Sequence, residues 1–417
     1  MVRLKENGVH WELAEELPLK ALLADPGERI KESRVKLVTK HEIAGKTYYV
    51  KRYQHAGVPL RPLKFFFKPS QARQEWQLAQ QINAPIVRHL ALGERWTLTG
   101  LQESILITEG FDGREPGEHD GERVLAFVRH LHERGVLQRD LHPGNILVNA
   151  HELRLVDLHG TILKTPTEDE IADNLARLRL FVPIPVTPEI ERRSVEFGRR
   201  FFAERARRCL KRNREFDRRN GWYVRRPFWK EELRDPEAFL RRARILKQGR
   251  TSVVGAADGV VVKQYNIRRP SRLLKDLFRR SRAVNAYFKA YHLELAGIPT
   301  ARPIAAGEKR ICRFLLRSWF VMEELPGVRD LSQWQGDYQL AAQRVRELIA
   351  RLHKSGFSHR DLKLTNIVLD ADARPFLVDL EGVRFVGEVT PEQAASDLSR
   401  LTRAAESRPE LRDLLRF

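Results

Sequence analysis

Cysteine is scarce in this sequence: only Cys209 and Cys312 occur in 417 residues, far apart and in unrelated settings. Two such thiols make neither a disulfide framework nor a zinc site, and they suit a reducing compartment. Long apolar runs are missing as well. Phe314–Met322 is among the longest, yet Arg317 interrupts it and it is too short to span a bilayer. The first residues mix Glu12, Glu15 and Glu16 with apolar side chains, which is not the pattern of a secretory signal. A chain that is soluble, or that sits peripherally on a membrane, is the expectation. Negative charge is also in short supply. Against 75 lysines and arginines stand 55 acidic residues, for a formal net charge of +20. Such a field draws anionic partners, whether nucleic acid, acidic headgroups or phosphorylated substrates. A basic surface kept for solubility is the plainer alternative.

What is present is a globular composition, 42% hydrophobic, on a chain too long for one ordinary core. Two domains are the natural prior, and an internal repeat supports them. Gln138-Arg139-Asp140-Leu141-His142-Pro143-Gly144-Asn145-Ile146-Leu147-Val148 recurs as His359-Arg360-Asp361-Leu362-Lys363-Leu364-Thr365-Asn366-Ile367-Val368-Leu369. Downstream, Leu155-Val156-Asp157-Leu158-His159-Gly160 returns as Leu377-Val378-Asp379-Leu380-Glu381-Gly382. Upstream, Tyr49-Val50-Lys51-Arg52-Tyr53 pairs with Val261-Val262-Lys263-Gln264-Tyr265. A repeat this long, with small length changes between fixed points, is a duplicated domain.

Each half has the same coarse pattern. Val35–Tyr53 and Thr251–Tyr265 alternate apolar and polar residues around short glycine-containing turns, as hairpins do. Gln71–Ile82 and Arg282–Leu295 have helical spacing. Val124, Phe127, Val128 and Leu131 share one helical face, as do Val345, Leu348, Ile349 and Leu352, and Gly135 and Gly356 mark where those helices stop. The pattern predicts an α+β chain: a first domain over 1–185, an arginine-rich helical extension and connector over 186–235, and a second domain over 236–417.

The repeated residues suit phosphoryl transfer, which needs positioning and charge neutralisation more than covalent chemistry. Asp140 and Asp361 each sit five residues before an asparagine, Asn145 or Asn366. That spacing lets the aspartate face an attacking hydroxyl while the asparagine turns toward a metal ion. Asp157 and Asp379 follow a buried-looking strand, where a carboxylate can hold magnesium between phosphates. Lys51 and Lys263 lie on strands in apolar surroundings and can offer a fixed positive charge. Each feature alone is a common loop or edge residue; the ordered set, found twice, is specific.

On these residues both halves resemble the protein-kinase-like superfamily, as two tandem bilobal domains, each with a small antiparallel-sheet N-lobe and a helical C-lobe. His359-Arg360-Asp361-Leu362-Lys363 with Asn366 reads like a kinase catalytic loop. Within the superfamily the chain is similar to the bacterial lipopolysaccharide core kinases, which phosphorylate inner-core sugars such as heptose or Kdo. Arg73, Glu75 and Trp76 carry that likeness in the first half, and Arg282-Ala283, Gly297-Ile298-Pro299-Thr300 and Pro303 in the second. Thr108-Glu109 with Gly113, and Met322-Glu323 with Gly327, resemble the family's hinge strand. The resemblance implies ATP and Mg2+ as cofactors. It makes Asp140 and Asp361 catalytic, and Asn145, Asp157, Asn366 and Asp379 magnesium ligands. Lys51, paired with Glu75 on helix C, and Lys263 would contact the phosphates. Glu109 and Glu323 fall at the nucleotide-binding hinge, where backbone groups hold adenine and the side chains are structural. The implied acceptor is an anionic glycolipid, met at the cytoplasmic face of the inner membrane.

The pattern departs from the superfamily in four places. Neither half has a G-x-G-x-x-G loop; the first offers only Gly45 between Arg29 and Tyr49, and the second has Gly249, Gly255 and Gly259. Gln138 replaces the histidine of the catalytic loop. His159 and Glu381 stand where Asp-Phe-Gly has its glycine. In the second half Ala286 falls opposite Glu75, so Lys263 lacks its helix C partner; either Glu294 or another acid substitutes, or that domain is crippled. Both domains are expected to bind nucleotide, with the first the safer choice for catalysis.

A cationic, apolar segment precedes helix C in both halves: Arg61–Lys68 and Arg268–Arg280. In the second, Leu273, Leu274, Leu277 and Phe278 form one helical face. Such a stripe suits an anionic leaflet, while docking on the kinase lobe is the alternative. The readings that compete with a core-sugar kinase are a protein or small-molecule kinase and a partly inactive pseudokinase scaffold. A nucleic-acid-binding module lacks any recognition motif, so no nucleic-acid partner is expected.

Overall fold

Asn7-Gly8 and Asn220-Gly221 each reverse the chain with both residues at positive φ, 51° and 76° in the first pair and 47° and 82° in the second. A two-residue turn of this kind matches the right-handed twist of antiparallel strands, so each dipeptide closes a hairpin. In the computed structural model, which describes residues 2–33, 35–56, 61–266 and 279–415, these hairpins open two compact units, Met1–Ser194 and Val195–Phe417.

The first unit holds a seven-stranded antiparallel sheet of β1 (Val2–Glu6), β2 (Val9–Leu13), β3 (Glu28–Glu32), β4 (Lys36–Ile43), β5 (Lys46–Gln54), β6 (His89–Thr97) and β7 (Gly100–Glu109), ordered β1-β2-β6-β7-β5-β4-β3. The second unit repeats this order: Phe216–Arg219, Trp222–Arg225, Pro303–Ile311, Phe314–Glu323, Val260–Tyr265, Ser252–Ala257, Arg244–Gln248. Both edge strands even carry the same irregularity, between Arg29 and Lys31 and between Ile245 and Lys247. The added hairpin is held to each sheet by an indole on a glycine. Trp11 lies opposite Gly93 and Trp222 opposite Gly307.

A longer helix packs against each sheet, Gln71–Ala79 and Arg282–Leu295. Each starts at a capping serine: Ser70 Oγ accepts the Arg73 amide at 3.1 Å, and Ser281 Oγ accepts that of Val284 at 3.2 Å. The cap is tied to the sheet by a glutamate next to the glycine. Ser70 Oγ donates to Glu94 at 3.0 Å, and the Ser281 amide donates to Glu308 at 2.8 Å. The helical parts follow. Gly121–Glu133 and Glu168–Arg179 enclose Val124, Val128, Leu131, Leu175 and Leu178; Tyr338–Lys354 and Pro391–Ala405 enclose Val345, Leu348, Ile349, Leu352 and Leu401. Gly135 (φ 69°) and Gly356 (φ 83°) follow the ends of two of these helices, as their sequence positions predict. Two sheet-and-helix modules of kinase-like build agree with the α+β expectation.

The stretch 186–235 differs from its expected role. Pro188–Ala206 is helical, but Phe216–Arg225 forms the edge hairpin of the second sheet. Of the arginines that suggested a connector, Arg218 and Arg219 are exposed on a strand pair whose Phe216 and Val224 are buried, while Arg225 is turned in to Glu215 and Glu294. In the Arg61–Lys68 segment Leu63–Phe66 is a short 3-10 turn with Phe65 buried. Of the second segment, 267–278, with the predicted face of Leu273, Leu274, Leu277 and Phe278, lies outside the described residues. Among the described residues no helix is long and apolar enough to cross a membrane.

The tryptophan–glycine contact generates a prediction. A Cβ on Gly93 would lie 2.8 Å from the Trp11 ring, and one on Gly307 would lie 2.7 Å from Trp222. Rigid indoles yield poorly, so Gly93→Ala and Gly307→Ala should each destabilise their unit by about 1–3 kcal/mol. Urea unfolding of each variant measures this; unchanged midpoints would show that the rings are not seated on the glycines.

Candidate active site

Lys51 sits in the middle of β5, its backbone paired with Val38 on one side and Leu106 on the other. The residue is only 8% exposed. Its Nζ donates to Glu75 Oε1 at 2.8 Å and reaches the Val156 carbonyl at 3.5 Å. Glu75, on the helix Gln71–Ala79, also accepts the Leu158 amide at 3.3 Å. One carboxylate thereby ties the strand lysine to the segment that carries Asp157. Burial alone would raise the Asp157 carboxyl, but Lys51, the His159 amide and Lys36 outweigh it and hold the group below the usual carboxylate range. Burial likewise works against the Lys51 ammonium, and Glu75 and Asp157 overcome it, so its pKa is raised.

Below this pair lies the loop of Asp140. Asn145 Nδ2 donates to the Asp140 carbonyl at 2.9 Å, which turns the amide group back along the loop. Gln138 does the work expected of a histidine there. Its Oε1 accepts the Asp140 amide at 3.1 Å, and its Nε2 donates to the Asp157 carbonyl at 2.8 Å. Lys51, Glu75, Asp140, Asn145 and Asp157 are thus linked through short hydrogen-bonded steps.

The second unit gathers its groups differently. Lys263, 9% exposed on Val260–Tyr265, donates to Asp379 Oδ1 at 2.9 Å. Ala286 is buried in the helix and offers nothing. The substitute acid is Glu381, two residues beyond Asp379, with a carboxylate oxygen 3.8 Å from Lys263 Nζ. Arg282, at the start of the helix, pairs with Glu381 and lies over the Tyr265 ring. Glu294, the other candidate, bonds Arg225 at 2.9 Å instead. Lys289 from the same helix anchors the Asp379 turn by donating to the carbonyls of Leu380 and Glu381 at 3.0 and 2.9 Å. Burial and the nearby Arg384 push Lys289 down to about 8.

Asn366 Nδ2 donates to the Asp361 carbonyl at 2.8 Å and approaches its Oδ2 at 3.3 Å, and Lys363 Nζ stands 3.0 Å from that Oδ2. His359 is fully buried, with its Nδ1 accepting the Asp361 amide at 3.3 Å; burial pushes it down to about 4, so it stays neutral. Asp397 braces the loop by accepting the His359 amide at 2.8 Å. In the first unit Asn174 takes that place and donates to the Gln138 carbonyl at 2.7 Å. The strands leading to Asp157 and Asp379 are tied down the same way: Leu155 donates to the Pro85 carbonyl at 3.1 Å, and Leu377 to that of Pro299 at 2.9 Å.

These groups open on a cleft of about 520 Å³ in the second unit. Val254, Val261, Ala301, Met322 and Val368 line its apolar part, Glu323 its hinge edge, and Lys263, Asn366 and Asp379 its polar end. Glu323 also pairs with Arg302 at 3.4 Å, and Glu109 accepts the Arg88 amide at 3.0 Å and pairs with Arg154. Both glutamate side chains therefore brace the hinge strands.

Sequence reasoning missed several cations here. Arg244, Lys247 and Lys363 line the second cleft, and Lys247 and Lys363 help hold Asp379 below the usual carboxylate range, after burial, which opposes them, and Lys263. In the first unit Lys36 on β4 is half-buried; burial and Lys51 lower its pKa, while Asp157 and Glu75 partly offset them. Lys36 and Lys247 flank the turn where a glycine-rich loop is absent, so side-chain charge stands where backbone amides would cover phosphates. Their only sequence signal was alternation along the strands on either side of that turn, whereas Lys363 stands within the repeated Arg-Asp-x-x-x-x-Asn motif.

The donor sets fit magnesium with a nucleotide. Asp157 and Asp379 are hard oxygen donors already facing a cation, the lysine ammonium, and the engaged Nδ2 of Asn145 and Asn366 leaves each amide oxygen as the acceptor. A strand lysine facing a post-strand aspartate, above an Asp-x-x-x-x-Asn loop, defines a protein-kinase-like module, and the chain holds two. Comparison with known proteins finds similarities that bear on the second. Residues 230–417 match the Lipopolysaccharide kinase (Kdo/WaaP) family. Curated relatives include the 3-deoxy-D-manno-octulosonic acid kinase of Vibrio cholerae serotype O1, 24% identical over 132 residues (31% of this chain, 55% of the relative). Another, from Stenotrophomonas maltophilia, is 36% identical over 90 residues (20% of this chain, 34% of the relative). The chain spans between a third and a little over half of the length of these relatives. Among solved structures, WaaP in complex with acyl carrier protein is 19% identical, covering 43% of this chain and 82% of that one with a TM-score of 0.30. A crystal structure of WbdD is 21% identical, covering 39% and 37%, with a TM-score of 0.29.

Two predictions follow from the contrast between the centres. Removing one partner of a buried ion pair leaves an uncompensated charge, so Glu75→Ala should destabilise its unit by about 3–5 kcal/mol. Glu381 is more than a third exposed, and Glu381→Ala should leave unfolding by urea within about 1 kcal/mol of the parent. Equal losses for the two variants would contradict this difference. The second concerns acid. Because the Asp157 carboxyl is depressed in the folded chain, its stabilisation is complete above the unfolded value, near 3.8, and is lost as pH falls through the lower folded value. Asp157→Asn should remove that part of the acid limb in a pH series of unfolding midpoints.

Proposed function

We propose that this chain is an ATP-dependent phosphotransferase whose acceptor is a sugar hydroxyl of the lipopolysaccharide inner core, a Kdo or heptose. The observation that carries the reading is the convergence of Lys263, Asn366 and Asp379 on one cleft, with Asp361 bonded to Asn366 and Lys363 beside it, within the stretch that matches the Kdo/WaaP family. The curated relatives named as 3-deoxy-D-manno-octulosonic acid kinases support the same substrate class.

In this reading the apolar walls of the cleft take adenine, and Lys263, with Lys247, holds the phosphates. Asp361 orients the sugar hydroxyl and receives its proton as the oxygen attacks the γ-phosphorus and the bond from that phosphorus to the departing ADP breaks, and Lys363 at 3.0 Å stabilises the carboxylate before transfer. Asn366 and Asp379 would hold magnesium, which would supply neutralisation of the phosphate oxygens. Arg282 and Lys289 keep Glu381 and its turn in place. The first unit has the fuller lysine–glutamate pair, and Lys51, Asp140, Asn145 and Asp157 would give it a parallel transfer to a second position. The acceptor is borne by a glycolipid, so the chain would work at a membrane surface, on the cytoplasmic side where ATP is available. The net charge of +20 draws such an anionic substrate in.

The test is mass spectrometry of core oligosaccharide after incubation with the chain and ATP. Asp361→Ala should reduce phosphate incorporation by about 10²–10⁴-fold at one position, and Asp140→Ala should remove a different phosphate. No phosphate gained with the parent chain would overturn the reading. An unchanged pattern after Asp140→Ala would leave the first unit without a transfer of its own.

A further inference from the structure

The apolar residues around Phe66 are left over from the site. Leu63, Phe66 and Phe67 stand on the 3-10 turn ahead of the helix Gln71–Ala79, while Trp96 and Leu98 stand at the tip of the β6–β7 hairpin. All five are exposed, Phe67 at 89% and Leu98 completely. They form one surface because the turn is seated on the hairpin. The Leu101 amide donates to the Pro62 carbonyl at 3.3 Å, and Gly100, at φ 105°, approaches so closely that a Cβ would lie 2.3 Å from that oxygen. The Phe66 and Trp96 rings lie 5.4 Å apart. Phe65 points the other way and is buried beside His55, which anchors the turn.

Exposed lysines and an arginine, Lys64, Lys68 and Arg95, border these side chains. The second unit has a counterpart on its equivalent hairpin, where Ile311 and Phe314 are exposed among Lys309, Arg310 and Arg313. A soluble chain has no use for several adjoining exposed aromatic and aliphatic side chains; such patches mark contact surfaces. This one is a protruding tip, not a groove, with cations around an apolar centre. That profile matches an anionic bilayer, whose headgroups meet the lysines while the rings enter the boundary of the acyl region.

We infer that the paired segments Leu63–Phe67 and Trp96–Leu98 form a docking surface for an anionic membrane, with the tip Ile311–Phe314 as its counterpart in the second unit. The inference rests on the reading of a membrane-borne acceptor and names the surface by which the chain would reach it. The test is co-sedimentation of the full chain with phosphatidylcholine vesicles, with and without phosphatidylglycerol. The parent chain should sediment with the anionic vesicles, and Phe67→Glu with Leu98→Glu should lower the bound fraction by about tenfold or more. Ile311→Glu with Phe314→Glu should lower it further. All four positions are exposed, so unfolding midpoints and phosphate transfer to lipid-free core oligosaccharide should not change. Vesicle binding unaffected by both double substitutions would overturn the inference. So would a parent chain that stays in the supernatant, the result expected if an acidic protein is the occupant. Binding that responds as stated, without transfer to any core sugar, would uphold the surface and overturn the reading of the site.

Discussion

An ammonium group buried in the middle of a β-sheet needs a carboxylate beside it, and both units are arranged around that need. Taking a charge out of water costs several kcal/mol unless a partner and further hydrogen bonds compensate. The first unit supplies the partner from a helix, through Glu75, whose second contact reaches the segment of Asp157. The second supplies it from the post-strand turn itself, through Asp379 and Glu381. In each case the lysine, the helix and the post-strand turn are fixed by one electrostatic knot, and the geometry of the cleft follows from it.

The two solutions distribute charge differently. With Glu75 in place, the first helix is pulled to the sheet by a nearly dry ion pair. In the second unit Ala286 leaves that place apolar, and Arg282 and Lys289 bring positive charge from the helix to the turn. The helix still positions the site, but by holding Glu381 and its backbone instead of holding the lysine. Lys247 and Lys363 add further cations around Asp379, which suits a cleft that lacks glycine-rich cover for phosphates.

The sequence made much of this legible because the motifs carrying the chemistry are short and contiguous. Asp140 with Asn145, and Asp361 with Asn366, face their sites through bonds within a few residues of the chain. Lys51 and Lys263 were legible as strand residues, since apolar alternation surrounds them. Glu381 was not, because helical spacing points to acids on the helix, whereas the partner comes from a turn distant in sequence and brought close only by packing. Glu294 satisfied the helical spacing but is drawn to Arg225, from a hairpin that the arginine-rich composition of 186–235 concealed. Asn7-Gly8 and Asn220-Gly221 were the local signals for that hairpin and its counterpart. Gln138 looked like a loss and is not one, for its amide accepts and donates at the two points where the loop must be tied.

On the proposed reading each unit holds its own nucleotide site, built on Lys51 in one and on Lys263 in the other. Calorimetric titration of the full chain with magnesium and a non-hydrolysable ATP analogue tests it most directly. The account predicts two equivalents bound per chain, with Lys51→Met and Lys263→Met each removing one. A single equivalent in the parent chain, or a stoichiometry that neither substitution changes, would contradict it.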